Sequence, residues 1–151
     1  MLDDIRVRTG WKQNIFSYPP IGSPDGGAHA TVGDLVTLAQ AVRAGRLLTP
    51  ELTELFLTPQ VLHHAGDGWA VWYGFGLEFV RDRGGVVRNC YKDGINAGAS
   101  GILRYYPDVQ LDVVVLSNSS VGAPDVIDEI HRLVQTQHPV VGVSGSRPAV
   151  A

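Results

Sequence analysis

The sequence predicts an α+β domain: two N-terminal helices, an antiparallel meander of about four strands, and a C-terminal helix packed on that sheet. Three observations predict it. Apolar residues recur at helical spacing from Leu35 to Phe56, alternate from Trp69 onward, and return to helical spacing from Ile127 to Val134. The segments between the alternating runs are short and rich in turn formers, which joins neighbouring strands antiparallel rather than through crossovers. The length, 151 residues, is that of one domain or of part of a larger one.

The first helix starts at Thr31, an N-cap hydroxyl with Asp34 three residues on as an acidic form of the capping box. Leu35, Leu38, Ala39 and Val42 form its apolar face, and Gly45 stands where a C′ glycine ends a helix. The second helix is capped by Thr49, takes Pro50 at its first position, and carries Glu51 at the positive end of its dipole. Leu52, Leu55 and Phe56 are its buried face, and Pro59 stops it.

Tyr73 to Val80 reads as the first strand, with Tyr73, Phe75, Leu77 and Phe79 on one side. Arg83-Gly84-Gly85 turns the chain into a second strand, Val86 to Tyr91. Gly94 to Gly98 reads as the next turn, Ala99 to Tyr106 as a third strand ended by Pro107-Asp108, and Leu111 to Leu116 as a fourth. The unbroken apolar run Val113 to Leu116 implies burial on both faces. Asp125 to Gln137 is the last helix, with Pro124 in its first turn and Ile127, Ile130, Leu133 and Val134 as its stripe. Residues 1–30 read as irregular, residues 1–138 as the domain, and residues 139–151 as a flexible tail.

Composition excludes several classes. The chain is 44% hydrophobic and 18% charged, short of the usual ~25% charged and unlike a disordered chain. A net charge of −3, with no basic run, makes nucleic acid and anionic membrane poor partners. No apolar run approaches the ~18 residues of a membrane span. Asp3, Asp4, Arg6 and Arg8 leave no room for a secretory signal in the first residues, so the chain as it stands reads as cytoplasmic, while export of a longer parent stays open. Cys90, the only cysteine, can form neither an internal disulfide nor a multi-cysteine zinc site. It lies in an apolar strand and reads as a buried small hydrophobe.

None of the five histidines, His29, His63, His64, His131 and His138, lies in a catalytic motif. His63-His64 reads as part of a loop with Asp67 nearby, a polar pair short of the three or four converging ligands that zinc takes. Neither a metal nor a cofactor is expected. The segment Asn89-Cys90-Tyr91-Lys92-Asp93-Gly94-Ile95 is more informative: a cation at a strand end, then a glycine that admits close approach of a ligand or a backbone.

Five stretches in order resemble the C-terminal part of the serine β-lactamase and penicillin-binding-protein superfamily, particularly its class C-like esterase and D-alanyl-D-alanine peptidase branch. Gly26-Gly27 through Asp34-Leu35 resembles that family's glycine pair leading into a helix, and Gly45 to Glu51 the loop and helix start that follow. Tyr73-Gly74-Phe75-Gly76 resembles its Tyr-Gly-x-Gly strand. Lys92-Asp93-Gly94 falls where the family has Lys-Thr-Gly or His-x-Gly, and Tyr106-Pro107-Asp108 through Leu116-Ser117-Asn118 matches its closing hairpin. The resemblance implies a partial β-lactamase/transpeptidase-like fold. It implies that Lys92 lines an acyl-transfer site and helps position substrate. Asp93 and Gly94 fall at substrate-contacting positions, and Ile95 supplies a backbone N–H to the oxyanion hole.

Two departures stand out. Asp93 replaces a hydroxyl residue, and an ionised carboxylate there repels a substrate carboxylate, which favours an uncharged ester or amide. The family's Ser-x-x-Lys and Tyr-x-Asn are absent: no serine is followed by x-x-Lys and no tyrosine by x-Asn. The resemblance therefore implies a C-terminal fragment, inactive alone, whose partner is the missing N-terminal segment. The alternative is a non-catalytic binding or dimerisation module that pairs, as a homo-oligomer or with another chain, through an exposed sheet edge.

Overall fold

A computed structural model describes residues 26–138; the readings made for residues 1–25 and for the tail 139–151 lie outside it. Two helices come first, α1 (Val32–Arg43) and α2 (Pro50–Phe56). Six strands follow: β1 (Val61–Gly66), β2 (Trp69–Tyr73), β3 (Glu78–Asp82), β4 (Val87–Asn96), β5 (Ala99–Tyr106) and β6 (Leu111–Ser117). A 3₁₀ turn, Pro107–Val109, joins the last two strands, and α3 (Gly122–Gln137) closes the described chain. The strands lie in one antiparallel sheet in sequence order, β1 to β6.

Local chemistry starts α1 and α2 where the sequence places them, while α3 begins at Gly122, three residues before the expected Asp125. The Thr31 hydroxyl accepts the Asp34 N–H at 3.2 Å, while the Asp34 carboxylate accepts the Thr31 N–H at 2.9 Å, a reciprocal capping box. That bond, with a second from the Thr31 hydroxyl, holds the Asp34 carboxyl below the usual carboxylate range. Gly45 adopts φ 65° just past the C-cap Ala44, a conformation that glycine takes without steric cost. Thr49 caps α2 with Pro50 at its start.

The strands depart from expectation in four ways. The sheet has six strands rather than four among the described residues. Tyr73 to Val80 is not one strand. The Gly74 N–H donates to the Leu77 carbonyl at 2.8 Å and Gly76 sits at φ 89°, so the chain reverses between β2 and β3. A Cβ on Gly74 would come within 2.8 Å of the Phe79 ring, which explains the glycine there. The histidine pair, read as a loop, lies inside β1. Finally, β4 runs on to Asn96, so Gly94 stands in a strand and the β4–β5 turn shrinks to Ala97-Gly98.

The sheet carries a helix on each face. In β5, Ser100, Ile102, Arg104 and Tyr106 alternate as buried residues beneath α3. Tyr91, Ile102, Ala123 and Ile127 form the core of that layer, with Val80, Val113 and Val115 packed against it. Its polar members are Arg104, 5.2 Å over the Tyr91 ring, and the Tyr106 hydroxyl, 3.0 Å from His131 Nδ1. On the opposite face α1 buries no residue fully and is clasped by polar groups. Arg43 donates to Asp112 Oδ2 at 2.6 Å and lies 3.8 Å over the Tyr105 ring, while Gln40 reaches the same oxygen at 3.2 Å. Both helices therefore touch β6, where Val113 to Val115 are half-buried, while Leu116, expected to be buried with them, is 43% exposed.

Candidate functional site

The segment that carries the basic residue is built on an overhang of β4. The pairing of β3 with β4 reaches Tyr91, opposite Glu78, the first residue of β3. Residues 92–96 run beyond it and keep β5 on their other side, with Lys92 opposite Leu103, Asp93 opposite Ile102, Gly94 opposite Gly101 and Ile95 opposite Ser100. Strand alternation divides the four sequence-predicted residues. Lys92 and Gly94 share the face of Cys90, Tyr105 and α1; Asp93 and Ile95 share the face of Tyr91, Ile102 and α3. The structure brings the four together along one strand but aims the Lys92 ammonium and the Asp93 carboxylate to opposite sides.

Lys92 is exposed, Asp93 is half-buried, and Ile95 is 52% exposed. A Cβ on Gly94 would meet no atom within 4 Å. Internal crowding therefore does not call for a glycine here, and its effect is to leave bare backbone on an open face. The loop ahead of α1 comes close as well: a Cβ on Gly26 would lie 4.0 Å from the Asn96 side-chain nitrogen.

Two serines that the sequence reading passed over hold this hairpin in place. The Ser120 hydroxyl donates to the Asn96 carbonyl at 2.9 Å and accepts the Gly98 N–H at 3.0 Å, spanning the turn. The Ser100 hydroxyl donates to the Ser119 carbonyl at 2.6 Å and accepts the Ala123 N–H at 3.0 Å. α3 has no side-chain N-cap of its own, so a serine from β5 satisfies one of its free donors. No local pattern marks these residues, because each bond joins positions about twenty apart in sequence. Ser117 likewise accepts the Ser119 N–H, at 3.1 Å.

Cys90, expected to be buried, is half-buried. Burial pushes its thiol up to about 11, with Arg43 pulling the other way and Asp112 adding to the rise. His63 and His64 lie on β1, His131 lies on α3 beside Tyr106, His138 follows α3, and His29 is exposed ahead of α1. Among the described residues, no group of three or more His, Cys, Asp or Glu side chains is placed to hold a metal ion. No described helix is long and apolar enough to cross a membrane.

No family model matches the chain, and no curated protein matches it significantly. Among solved structures it is similar to a penicillin binding protein from Bacillus halodurans, at 35% identity and a TM-score of 0.73. The match covers 82% of this chain and 36% of that one, so the chain spans about a third of that structure's length. The fold is penicillin-binding-protein-like: an antiparallel sheet with a C-terminal helix packed on it.

Proposed function

We propose that this chain is the C-terminal part of a serine hydrolase related to penicillin-binding proteins and class C β-lactamases. Its segment Lys92-Asp93-Gly94-Ile95 is one wall of an acyl-transfer site. The observation that carries the reading is the likeness in sequence and structure to a penicillin binding protein over most of the described chain. The basic residue and bare glycine on an open strand overhang support it. In this reading the Lys92 ammonium orients the substrate and Gly94 lets the acyl group lie against the backbone. The Ile95 N–H, in the plane of the sheet, donates to the oxygen that gains charge as the acyl carbon becomes tetrahedral.

Substrate preference follows from Asp93. A carboxylate takes the place of the family's hydroxyl residue, and an ionised carboxylate at that position repels a substrate carboxylate. An uncharged ester or amide suits it better. The nucleophile and its base, in Ser-x-x-Lys and Tyr-x-Asn, come from a segment outside this sequence. Without them, a wall of the site alone leaves only weak residual catalysis. The alternative, a binding or dimerisation module using the β6 edge, has no observation of its own beyond that edge.

The test treats the purified chain with a chromogenic ester and with a fluorophosphonate, followed by intact-mass measurement. No turnover above background and no covalent adduct are expected. Robust turnover, or an adduct on any serine, would show that the chain holds its own nucleophile and would sink the proposal.

A further inference from the structure

His131 ties the later turns of α3 to the sheet through a hydrogen bond that depends on its protonation. Its Nδ1 lies 3.0 Å from the Tyr106 hydroxyl, and the two rings stack with centroids 5.7 Å apart and planes at 18°. Tyr106 is buried, as is Arg104 two residues before it on the same face of β5. Arg104 hydrogen-bonds the Tyr106 side chain. Burial pushes the Tyr106 phenol above its ordinary value, with Arg104 pulling the other way and Asp128 adding to the rise. The hydroxyl therefore keeps its proton. Its oxygen accepts from Arg104, which has donors only, and its hydrogen has the His131 Nδ1 lone pair as acceptor. That bond needs a neutral imidazole whose proton sits on Nε2.

Protonation of His131 puts a hydrogen on Nδ1, where the hydroxyl hydrogen already points. It also sets a second cation near Arg104, in a layer that screens charge poorly. The other charges around this contact do not offset that. Asp128, one turn earlier on α3, attracts an imidazolium but is exposed, so solvent screens it. Glu129 and Arg132 are exposed and bonded to each other. His138, exposed at the end of α3, favours the negative end of the helix dipole when protonated and acts weakly in the opposite direction. On this face β6 presents Leu111, Val113, Val115 and Ser117, none of which titrates near neutrality. β4 adds Tyr91, whose hydroxyl donates to Glu78 of β3 at 2.7 Å.

We propose that α3 is a pH-sensitive latch, which docks with His131 neutral and opens more readily once His131 is protonated. The undocked helix exposes His131 to water, where it binds a proton near the ordinary value of about 6.5. The docked helix binds that proton less readily, so docking is strongest above this value and weakens as pH falls through it. The other end of α3 holds the β4–β5 hairpin. Ser100 accepts the Ala123 N–H at 3.0 Å, and Ser120, just ahead of the helix, spans the turn from the Asn96 carbonyl to the Gly98 N–H. Opening α3 therefore also loosens the hairpin that carries Lys92 to Ile95. This effect on the acyl-transfer wall rests on the proposed hydrolase reading; the latch itself does not.

The experiment is amide hydrogen exchange of the full chain at pH 7.5 and pH 5.5, corrected for the intrinsic effect of pH on exchange. A tenfold disadvantage for the proton in the docked state makes α3 open about fivefold more often at pH 5.5. The β4–β5 turn should follow α3, while α1 should not change. His131→Gln, which cannot titrate, should abolish the pH effect, and His138→Gln should leave it in place. A measurement on the unaltered chain guards against a variant that fails to fold: the His131 ring signals in NMR should titrate over the same pH range in which α3 loses protection. Protection of α3 that ignores pH or rises at pH 5.5, or a pH effect that persists in His131→Gln, would overturn the latch. Opening of α3 with the turn still protected would overturn its coupling to the hairpin. None of these readouts uses activity, so their failure is distinct from failure of the hydrolase reading, which the ester and fluorophosphonate assays decide.

Discussion

Ile127 provides the sharpest test of how the last helix is held. It is 0% exposed, pointing from α3 into the layer formed by Tyr91, Ile102 and Ala123. Ile127→Ala removes three carbons. At about 0.8 kcal/mol per buried methylene, the transfer loss alone is about 2.4 kcal/mol. The hole left in a layer backed by a sheet collapses only partly, which brings the expected cost to about 3–4 kcal/mol, within the usual range for such truncations. That is a large share of the ~5–15 kcal/mol by which domains are stable. Leu133→Ala is the control. It lies on the same helix but is 44% exposed, and its cost should stay below about 1 kcal/mol. Urea unfolding followed by circular dichroism measures both. With a slope of about 1.5 kcal/mol per molar, the Ile127 variant should unfold about 2 M earlier than the parent. A cost under about 1 kcal/mol for Ile127→Ala, or one equal to that of Leu133→Ala, would refute the claim that α3 docks through this face.

Two further predictions rest on titrating groups. With its thiol pushed up to about 11, Cys90 should be about one part in a thousand thiolate at pH 8, against a substantial fraction for a free thiol near 8.5. Its reaction with a disulfide reagent such as Ellman's should be far slower in the folded chain than in urea; equal rates would contradict its burial. Asp82 is held below the ordinary carboxylate range, first by the Arg88 side-chain bond at 2.5 Å and then by the Val86 N–H. Its folded value lies under its unfolded one, so the unfolded chain binds the proton first. The stability it contributes is present above the ordinary carboxylate value of about 4 and is lost as pH falls through the folded value. Asp82→Asn should flatten the dependence of the urea midpoint on pH below about 4, and an unchanged slope would show that the Arg88 bridge does not matter to acid stability.

The helix ends were legible because they are written within four residues. Thr31 with Asp34, Thr49 with Pro50, and Gly45 at a positive φ each satisfy or release backbone groups locally. Strand boundaries were less legible. Alternation runs through Tyr73 to Val80 without a break, yet Gly74 and Gly76 turn the chain there, because a hydrogen bond across the turn and the Phe79 ring leave no room for continuation. β1 was missed because its adjacent histidines and its glycine carry no alternation; its pairing with β2 makes it a strand. The candidate segment was found in sequence through Lys92 and Gly94, but its anchors, Ser100 and Ser120, were invisible.

By itself, then, the sequence determined the fold class, the order of two helices, antiparallel sheet and closing helix, the two caps, and a lysine–glycine element within a run of family-like motifs. Those features depend on neighbours along the chain, and short-range sterics and hydrogen bonding decide them. Only the tertiary structure decided which face each residue serves. Register puts Lys92 with α1 and Asp93 with α3, and a single extra residue in β1 turns two histidines onto one side. Both outcomes come from pairing between strands, where a shift of one residue reverses every side chain, and no local pattern in the sequence records which register is taken.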